Sequence, residues 1–392
     1  MSDTAPCGEE SSKPRSGAFT RRAALIGTAA IAAGAAVAEP SQASPTGPNG
    51  HGMVTPTSYA DAGNIPVSEP NQVLTFGPIA FEVPGRPVPL EIKVNVPAVG
   101  GNLPIILMSH GHGASNFLSS LRGCGPLVDF WAAHGFVVIQ PTHLDSTVLG
   151  LRETDHPEAP LFWKTRAQDM SFILDHLDEI EAAVPGLGRS TFMADPGSPG
   201  RTRLDRRRVA VAGFSLGGHT AAMLLGMRTT DPADGSRVHL PDARIKAGVI
   251  LAAPGVADEH TNQEMLDRYP VNKYTDFSTM TAPALVVAGD RDLNPMFSDR
   301  LSYRWDAYTL APGPKTLLMM HGAEHILGGI SGYDAAETSD ENPARVAVLR
   351  AMVWAYLRSQ LYPADPAWQH AVAALEIGSV ESKEAAGAGG RQ

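Results

Sequence analysis

Short apolar runs alternate with longer amphipathic stretches along most of the chain. The first, Leu90-Glu-Ile-Lys-Val-Asn-Val96, switches between apolar and polar at each step, which predicts a half-exposed antiparallel strand. Pro104-Ile-Ile-Leu-Met-Ser109 is a continuous apolar run and predicts a buried strand. A helix is predicted from Gly125 to His134, a strand over Phe136-Val-Val-Ile-Gln140, and one long helix from Phe162 to Val184 with Met170, Ile173, Leu174, Leu177 and Ile180 on one face. Val209-Ala-Val-Ala212 is the next buried strand, and helical pattern resumes through Thr220–Met227. Three more buried-type strands are predicted over Ala247–Leu251, Ala284–Ala288 and Thr316–Met320, then a closing helix over Asn342–Leu361 with Pro343 suited to its first turn. Apolar strands fed by helices predict an α/β fold, a mostly parallel central sheet covered on both faces. No internal repeat or second domain is visible, and the stretch between the strands at 247 and 284 is too short for a large lid.

The flanks read differently. Residues 1–38 carry Lys13, Arg15, Arg21 and Arg22 ahead of a weakly apolar stretch, Ala23–Val37, and end on the small residues Ala36-Val37-Ala38. That is the layout of a cleaved export signal, and Thr20-Arg21-Arg22 resembles a twin-arginine signal. The apolar stretch is too short to span a bilayer comfortably, so no stable membrane span is expected after cleavage, and the product is expected in the periplasm or outside the cell. Residues 39–70, rich in Pro, Ser, Gly and Thr, read as a flexible linker. The folded body is expected over 71–362, with a Gly/Pro-rich basic surface loop at 185–205 and a partly disordered tail over 363–392.

Composition narrows the function classes. A chain of 392 residues with 43% hydrophobic and 18% charged content can bury a sizeable core. A net charge of −10 with no basic block in the body argues against nucleic acid as a partner. Cys7 precedes the expected cleavage site. Cys124 is then alone, so neither an intramolecular disulfide nor a cysteine metal cluster is expected, and Cys124 reads as a packed thiol.

The candidate chemistry centres on Gly213-Phe-Ser-Leu-Gly217, a G-x-S-x-G pattern set between the strand at 209–212 and a helix. A serine at the apex of such a turn is held in a strained backbone conformation, with glycines on either side to let strand and helix pass closely. Serine needs a base, and the base needs an orienting acid. Asp292, beyond the strand at 284–288, is the chosen acid, with Asp290 as rival, otherwise a turn cap. His325, in a glycine-flanked loop beyond the strand at 316–320, is the chosen base. His321 leaves that strand too early and is expected to be structural, and Glu324 is expected to face solvent or support its neighbour. His219 lies in the helix after the serine and is expected to be a packed, hydrogen-bonded core residue. Backbone N–H groups of Leu216 and of His112, in Ser109-His-Gly-His-Gly-Ala-Ser115, are the expected oxyanion donors, each worth about 3 kcal/mol of transition-state stabilisation. His110 and His112 lack a third ligand nearby, so no metal is expected. Phe214, Phe117, Trp131 and Trp163 are candidates for an apolar acyl wall.

Three stretches resemble the α/β-hydrolase group that holds platelet-activating-factor acetylhydrolases, chlorophyllase-like and dienelactone-hydrolase-like proteins. They are Ser109–Ser115 with Ala133-His-Gly-Phe-Val-Val138, then Thr142-His-Leu-Asp-Ser146, and Gly213-Phe-Ser-Leu-Gly-Gly218. Ser215 stands where dienelactone hydrolases proper have cysteine, and Phe214 where acetylhydrolases often have histidine. The resemblance, over roughly 75–360, implies a serine esterase with the triad Ser215, Asp292 and His325. Without a cofactor, such an enzyme would cleave a small-molecule, lipid or polymer ester. Acyl transfer to an alcohol other than water, or a binding protein on an inactive hydrolase fold, are the competing readings.

Overall fold

The computed structural model describes residues 62–187, 203–332 and 335–385. The predicted export signal, most of the predicted linker, the middle of the 185–205 loop and the last part of the tail lie outside the described residues. The strands are β1 (Val73–Phe81), β2 (Leu90–Pro97), β3 (Leu103–Ser109), β4 (Val137–Pro141), β5 (Leu204–Phe214), β6 (Arg228–Thr230), β7 (Arg237–His239), β8 (Ile245–Leu251), β9 (Ala284–Gly289), β10 (Lys315–Met320) and β11 (Gly378–Lys383). The helices are α1 (Gly125–Ala133), α2 (Trp163–Asp175), α3 (Leu177–Ala183), α4 (Leu216–Leu224), α5 (Gln263–Arg268), α6 (Asp306–Thr309), α7 (Pro343–Leu361) and α8 (Ala367–Ala373).

Nine strands form one sheet in the order β1-β2-β4-β3-β5-β8-β9-β10-β11, while β6 and β7 make a separate hairpin. The block from β4 to β10 is parallel throughout, and antiparallel pairs flank it, β1 with β2 and β2 with β4 at one edge and β10 with β11 at the other. Alternate residues of the central strands feed two cores. Ile105, Leu107, Val209 and Val211 pack with α2, α3 and α4, and Ile106, Met108, Ala210 and Ala212 pack with α1, α7 and α8. The sheet is thus buried on both faces, which is why its strands read as unbroken apolar runs. Among the described residues, no helix is long and apolar enough to cross a membrane.

The structure differs from the sequence expectations in four places. Packing begins before Asn71, because Ile65 is buried in the α7 core. The stretch 363–392 holds α8 and β11, the latter paired with β10 over its whole length. Neither β1 nor β11 has a continuous apolar signal, since both are half-exposed edge strands. The long helix expected over Phe162–Val184 is broken at His176. Its ring stacks on Phe172 at 3.7 Å, and its Nδ1–H donates to the Phe172 carbonyl at 2.8 Å, at the point where the backbone leaves helical geometry. At the other end of the chain Asn342 caps α7, its side chain accepting the Arg345 N–H at 2.9 Å, with Pro343 in the first turn as expected.

Three buried imidazoles make the fold acid-sensitive. Desolvation holds His110 at about 3 and both His134 and His219 at about 4, against an ordinary 6.5. The unfolded chain takes up their protons as pH falls below 6.5 while the folded chain does not, so stability present above that value is lost on acidification. Among the described residues, neither ring nitrogen of His219 has a hydrogen-bond partner. Replacing His219 with Leu therefore orphans no neighbour. It is predicted to flatten the pH dependence of the urea unfolding free energy between about pH 6.5 and 4 by roughly one proton. An unchanged slope would contradict a neutral buried imidazole.

Candidate active site

The turn from β5 to α4 is built by backbone strain and close approach. Ser215 sits at φ 54° and ψ −117°, a conformation that a residue with a side chain rarely adopts. A Cβ at Gly213 would lie 1.9 Å from the Gly217 carbonyl oxygen, and one at Gly217 would lie 2.1 Å from that of Ser109. Only glycine fits at either position. The second contact lays the loop after β3 directly on the elbow. Ser215 is left partly exposed while every residue of α4 is buried.

Two further loops converge on it. Beyond β9, Asp292 is buried, and beyond β10, His325 keeps an exposed edge. His325 Nδ1 lies 2.9 Å from Asp292 Oδ2, and Nε2 lies 3.0 Å from Ser215 Oγ. A carboxylate can only accept, so the proton sits on Nδ1, and Nε2 is left to accept from the serine hydroxyl. The imidazole lies below its ordinary basicity, first through desolvation and then through Arg304, with Asp292 opposing both. Asp290, the rival acid, is exposed and instead accepts the Gly322 N–H at 2.7 Å, tying the two loops together.

Of the two expected oxyanion donors, Leu216 directly follows Ser215, and His112 lies in the loop after β3. Leu216 opens α4, where a helix leaves its first N–H groups without intrahelical acceptors, and neither its N–H nor that of His112 donates to an acceptor among the described residues. The His112 ring is turned away to Asp145, Nδ1 to Oδ2 at 2.9 Å. Asp145 in turn pairs with Arg166, and this fully buried pair holds the carboxyl far below the usual carboxylate range, against the cost of burial. Arg166 also donates to the His110 carbonyl, to Ser109 Oγ at 3.2 Å and, from Nε, to Thr220 Oγ1 at 3.0 Å. One guanidinium thus joins the loop after β3, the loop after β4 and helix α4.

Sequence reasoning missed Arg166, although a signal existed. It stands four residues before Met170, on the apolar stripe of α2, where a cation is buried by necessity. Asp169 was missed as well. It completes a second Ser–His–Asp line, with His143 Nε2 3.0 Å from Ser109 Oγ and His143 Nδ1 2.9 Å from Asp169 Oδ2. Distances alone do not separate this line from the first. Access does, because Ser109, His143 and Asp169 are all buried, and Arg86 closes the end of the line on Asp169 at 2.9 Å. Burial, opposed by Arg86, pushes the Asp169 carboxyl up to about 7.

Several expected roles are corrected. Trp131 is wholly buried between α1 and α7, its indole N–H donating to the Arg350 carbonyl at 3.0 Å. Trp163 starts α2 and packs in the opposite core. Phe117 is half-buried in the turn before α1 and does not line the cleft at His325. Phe214 is near the chemistry but faces no substrate. Its buried ring lies 5.2 Å from that of His325 and packs against it. The apolar lining of the cleft, a space of about 370 Å³ beside the triad, comes instead from Leu293 and Ile326. A larger cavity of about 520 Å³ opens elsewhere, beside Arg86 and Phe172. His219 is packed as expected but not hydrogen-bonded. The His321 side chain is exposed, and its backbone is what is structural, the carbonyl accepting from Arg345 Nε at 3.2 Å and the N–H donating to the Ile377 carbonyl at 3.3 Å. Glu324 accepts from the Ser339 hydroxyl, so it is held rather than free in solvent. Both ring nitrogens of His110 are engaged inside the chain, with the Gly111 carbonyl at 2.7 Å and the His143 N–H at 3.1 Å.

Gly217→Ala is predicted to destabilise the fold by at least about 2 kcal/mol, because backbone rather than a movable side chain meets the new methyl. Urea unfolding measures it, and a wild-type midpoint would mean that the loop after β3 does not rest on the elbow. In comparison with known proteins, the chain matches no family model and no curated protein.

Proposed function

We propose that the chain is a serine hydrolase of α/β-hydrolase type that cleaves carboxylic esters through an acyl-enzyme intermediate. The observation that carries this reading is the hydrogen-bonded line from Ser215 through His325 to Asp292, with the serine partly exposed at a strained elbow and the other two residues lining a cleft. The mostly parallel sheet and the order of the three residues along the chain support it.

In this mechanism His325 takes the Ser215 proton on Nε2 as Oγ attacks the ester carbonyl. The Leu216 and His112 N–H groups bind the oxygen that becomes negative. Asp292 keeps Nδ1 protonated and stabilises the charged ring while it lasts. His325 then gives its proton to the departing alcohol. Water enters, loses a proton to the same nitrogen and releases the acid. Leu293 is exposed at the cleft beside His325 but the rest of its lining is mostly polar, so the ester, whether small molecule, lipid or polymer, is left to the substrate panel. Export from the cytoplasm belongs to the same proposal and rests on residues 1–38 of the sequence.

A fluorophosphonate probe is predicted to label the wild type and not Ser215→Ala, read by intact-protein mass. Folded wild type that takes no label would overturn the assignment of the nucleophile. A panel of acyl esters of graded length, extended to an aromatic polyester and an acetylated phospholipid, then identifies the substrate class. Asp292→Asn is predicted to lower kcat/KM by about 10³ to 10⁴, while Asp290→Asn stays within a few-fold. The reverse ranking would transfer the role to Asp290.

A further inference from the structure

We propose that Arg304 is a positioning residue of this site, fixing the Asp292 carboxylate and weakening its pull on the imidazole, so that the base stays unprotonated in mildly acid surroundings. The proposal rests on the reading of Ser215, His325 and Asp292 as the catalytic relay. Its starting point is a single oxygen with two partners. Asp292 Oδ2 lies 2.9 Å from His325 Nδ1 and 3.1 Å from Arg304 Nε. The Arg304 side chain is 4% exposed and that of Asp292 1%, so water neither competes for the pair nor screens it.

Two consequences follow from elementary chemistry. A carboxylate held by one imidazole alone can turn about its last bond, and a second partner on the same oxygen fixes its plane. The guanidinium also draws on the negative charge that would otherwise favour a protonated ring, and as a cation it opposes that ring directly. The base is thereby weaker than an unshared Asp–His pair would make it, and it survives as the neutral acceptor to lower pH. Arginine suits the place because it cannot lose its proton.

Arg304 is held where it is. It lies in the 3-10 turn Leu301–Trp305, with its guanidinium carbon 5.5 Å from the Phe297 ring centroid and 5.7 Å from that of Tyr303. The turn is pinned at its start, where Arg300 binds Asp306 at 2.8 Å and Asp258 at 2.7 Å. Arg291 lines the same cleft but is exposed, so water screens its charge, and the other surroundings of His325 do not duplicate that of Arg304. Phe214 from β5 is neutral. Asp340, ahead of α7, favours the charged ring but is itself paired with Arg345 at 3.0 Å. Glu324 and Glu337, which line the same cleft, are acidic, the first held by Ser339 and the second by the Ser115 N–H at 2.7 Å. With Arg304 neutralised, the carboxylates are left to act on the ring.

The test is the pH profile of kcat/KM for 4-nitrophenyl acetate in the wild type, Arg304→Lys, Arg304→Gln and Arg304→Met, each first checked for folding by circular dichroism. The acid limb of that profile reports the free enzyme's base. The Gln and Met variants are expected to move it upward by about one pH unit, with a loss of roughly tenfold at pH 6 that narrows at pH 8. Arg304→Lys, which keeps the charge, is expected to leave the limb within a few tenths of a unit of the wild type while lowering kcat. A folded Gln or Met variant whose acid limb stays at the wild-type position overturns the proposal whatever its kcat, since a purely structural brace would lower the rate without moving the limb. If one neutral variant does not fold, the other carries the test. Failure of the wild type to react with the fluorophosphonate probe would instead strike the relay itself. Normal labelling with an unmoved limb strikes only the role of Arg304.

Discussion

A guanidinium buried beyond the reach of water must find its partners within the protein, and Arg166 finds them on several elements at once. Loss of Asp145 would leave a desolvated charge unmet, a cost of several kcal/mol, and loss of any other partner would leave a buried donor unsatisfied, about 1–3 kcal/mol. The arrangement is therefore close to all-or-none. It holds the loop after β3 down on the elbow, fixes Asp145 for the His112 ring and ties α4 to α2 through Thr220. The glycines at 213 and 217 permit that approach, and the buried charge makes it obligatory.

The two Ser–His–Asp lines in one molecule share a geometry and differ in access. Ser109, His143 and Asp169 have hydrogen-bond distances as good as those of Ser215, His325 and Asp292. In the first line the serine hydroxyl also accepts from Arg166, the acid is capped by Arg86, and all three groups are dry. In the second the serine is partly exposed on a strained turn. Both acids carry an arginine, so the presence of a cation on the acid does not distinguish them either. What differs is whether a carbonyl carbon could reach the oxygen.

The legible part of the sequence was the part under the strongest local constraint. Buried parallel strands must be apolar on both faces, and a strained elbow must have glycine two places either side of its serine, so β3, β5, β8, β9 and β10 and the Ser215 turn were visible in residue types alone. The choice of Asp292 over Asp290 followed from loop length, and the distances agree with it. Less was visible where the structure depends on partners far along the chain. The polar edge strands β1 and β11 have no apolar run to mark them, and only pairing with β2 and β10 makes them strands. Arg304 sits twelve residues beyond Asp292 in a stretch without period. The aromatic residues misled for a related reason, because size and apolarity mark a core position as readily as a substrate wall. Trp131 and Phe214 went to the core.

β11 has a bearing on how the protein tolerates handling. It covers the outer edge of β10, the strand that delivers the loop of His325, and the Ile377 carbonyl just before it accepts the His321 N–H at the start of that loop. Proteolytic nicking in the short connection between α8 and β11 would release this cover. It would expose a strand edge able to pair with another chain, and it would slacken the loop that carries the base. The loop of His325 would then be disturbed before any loss of helix signal.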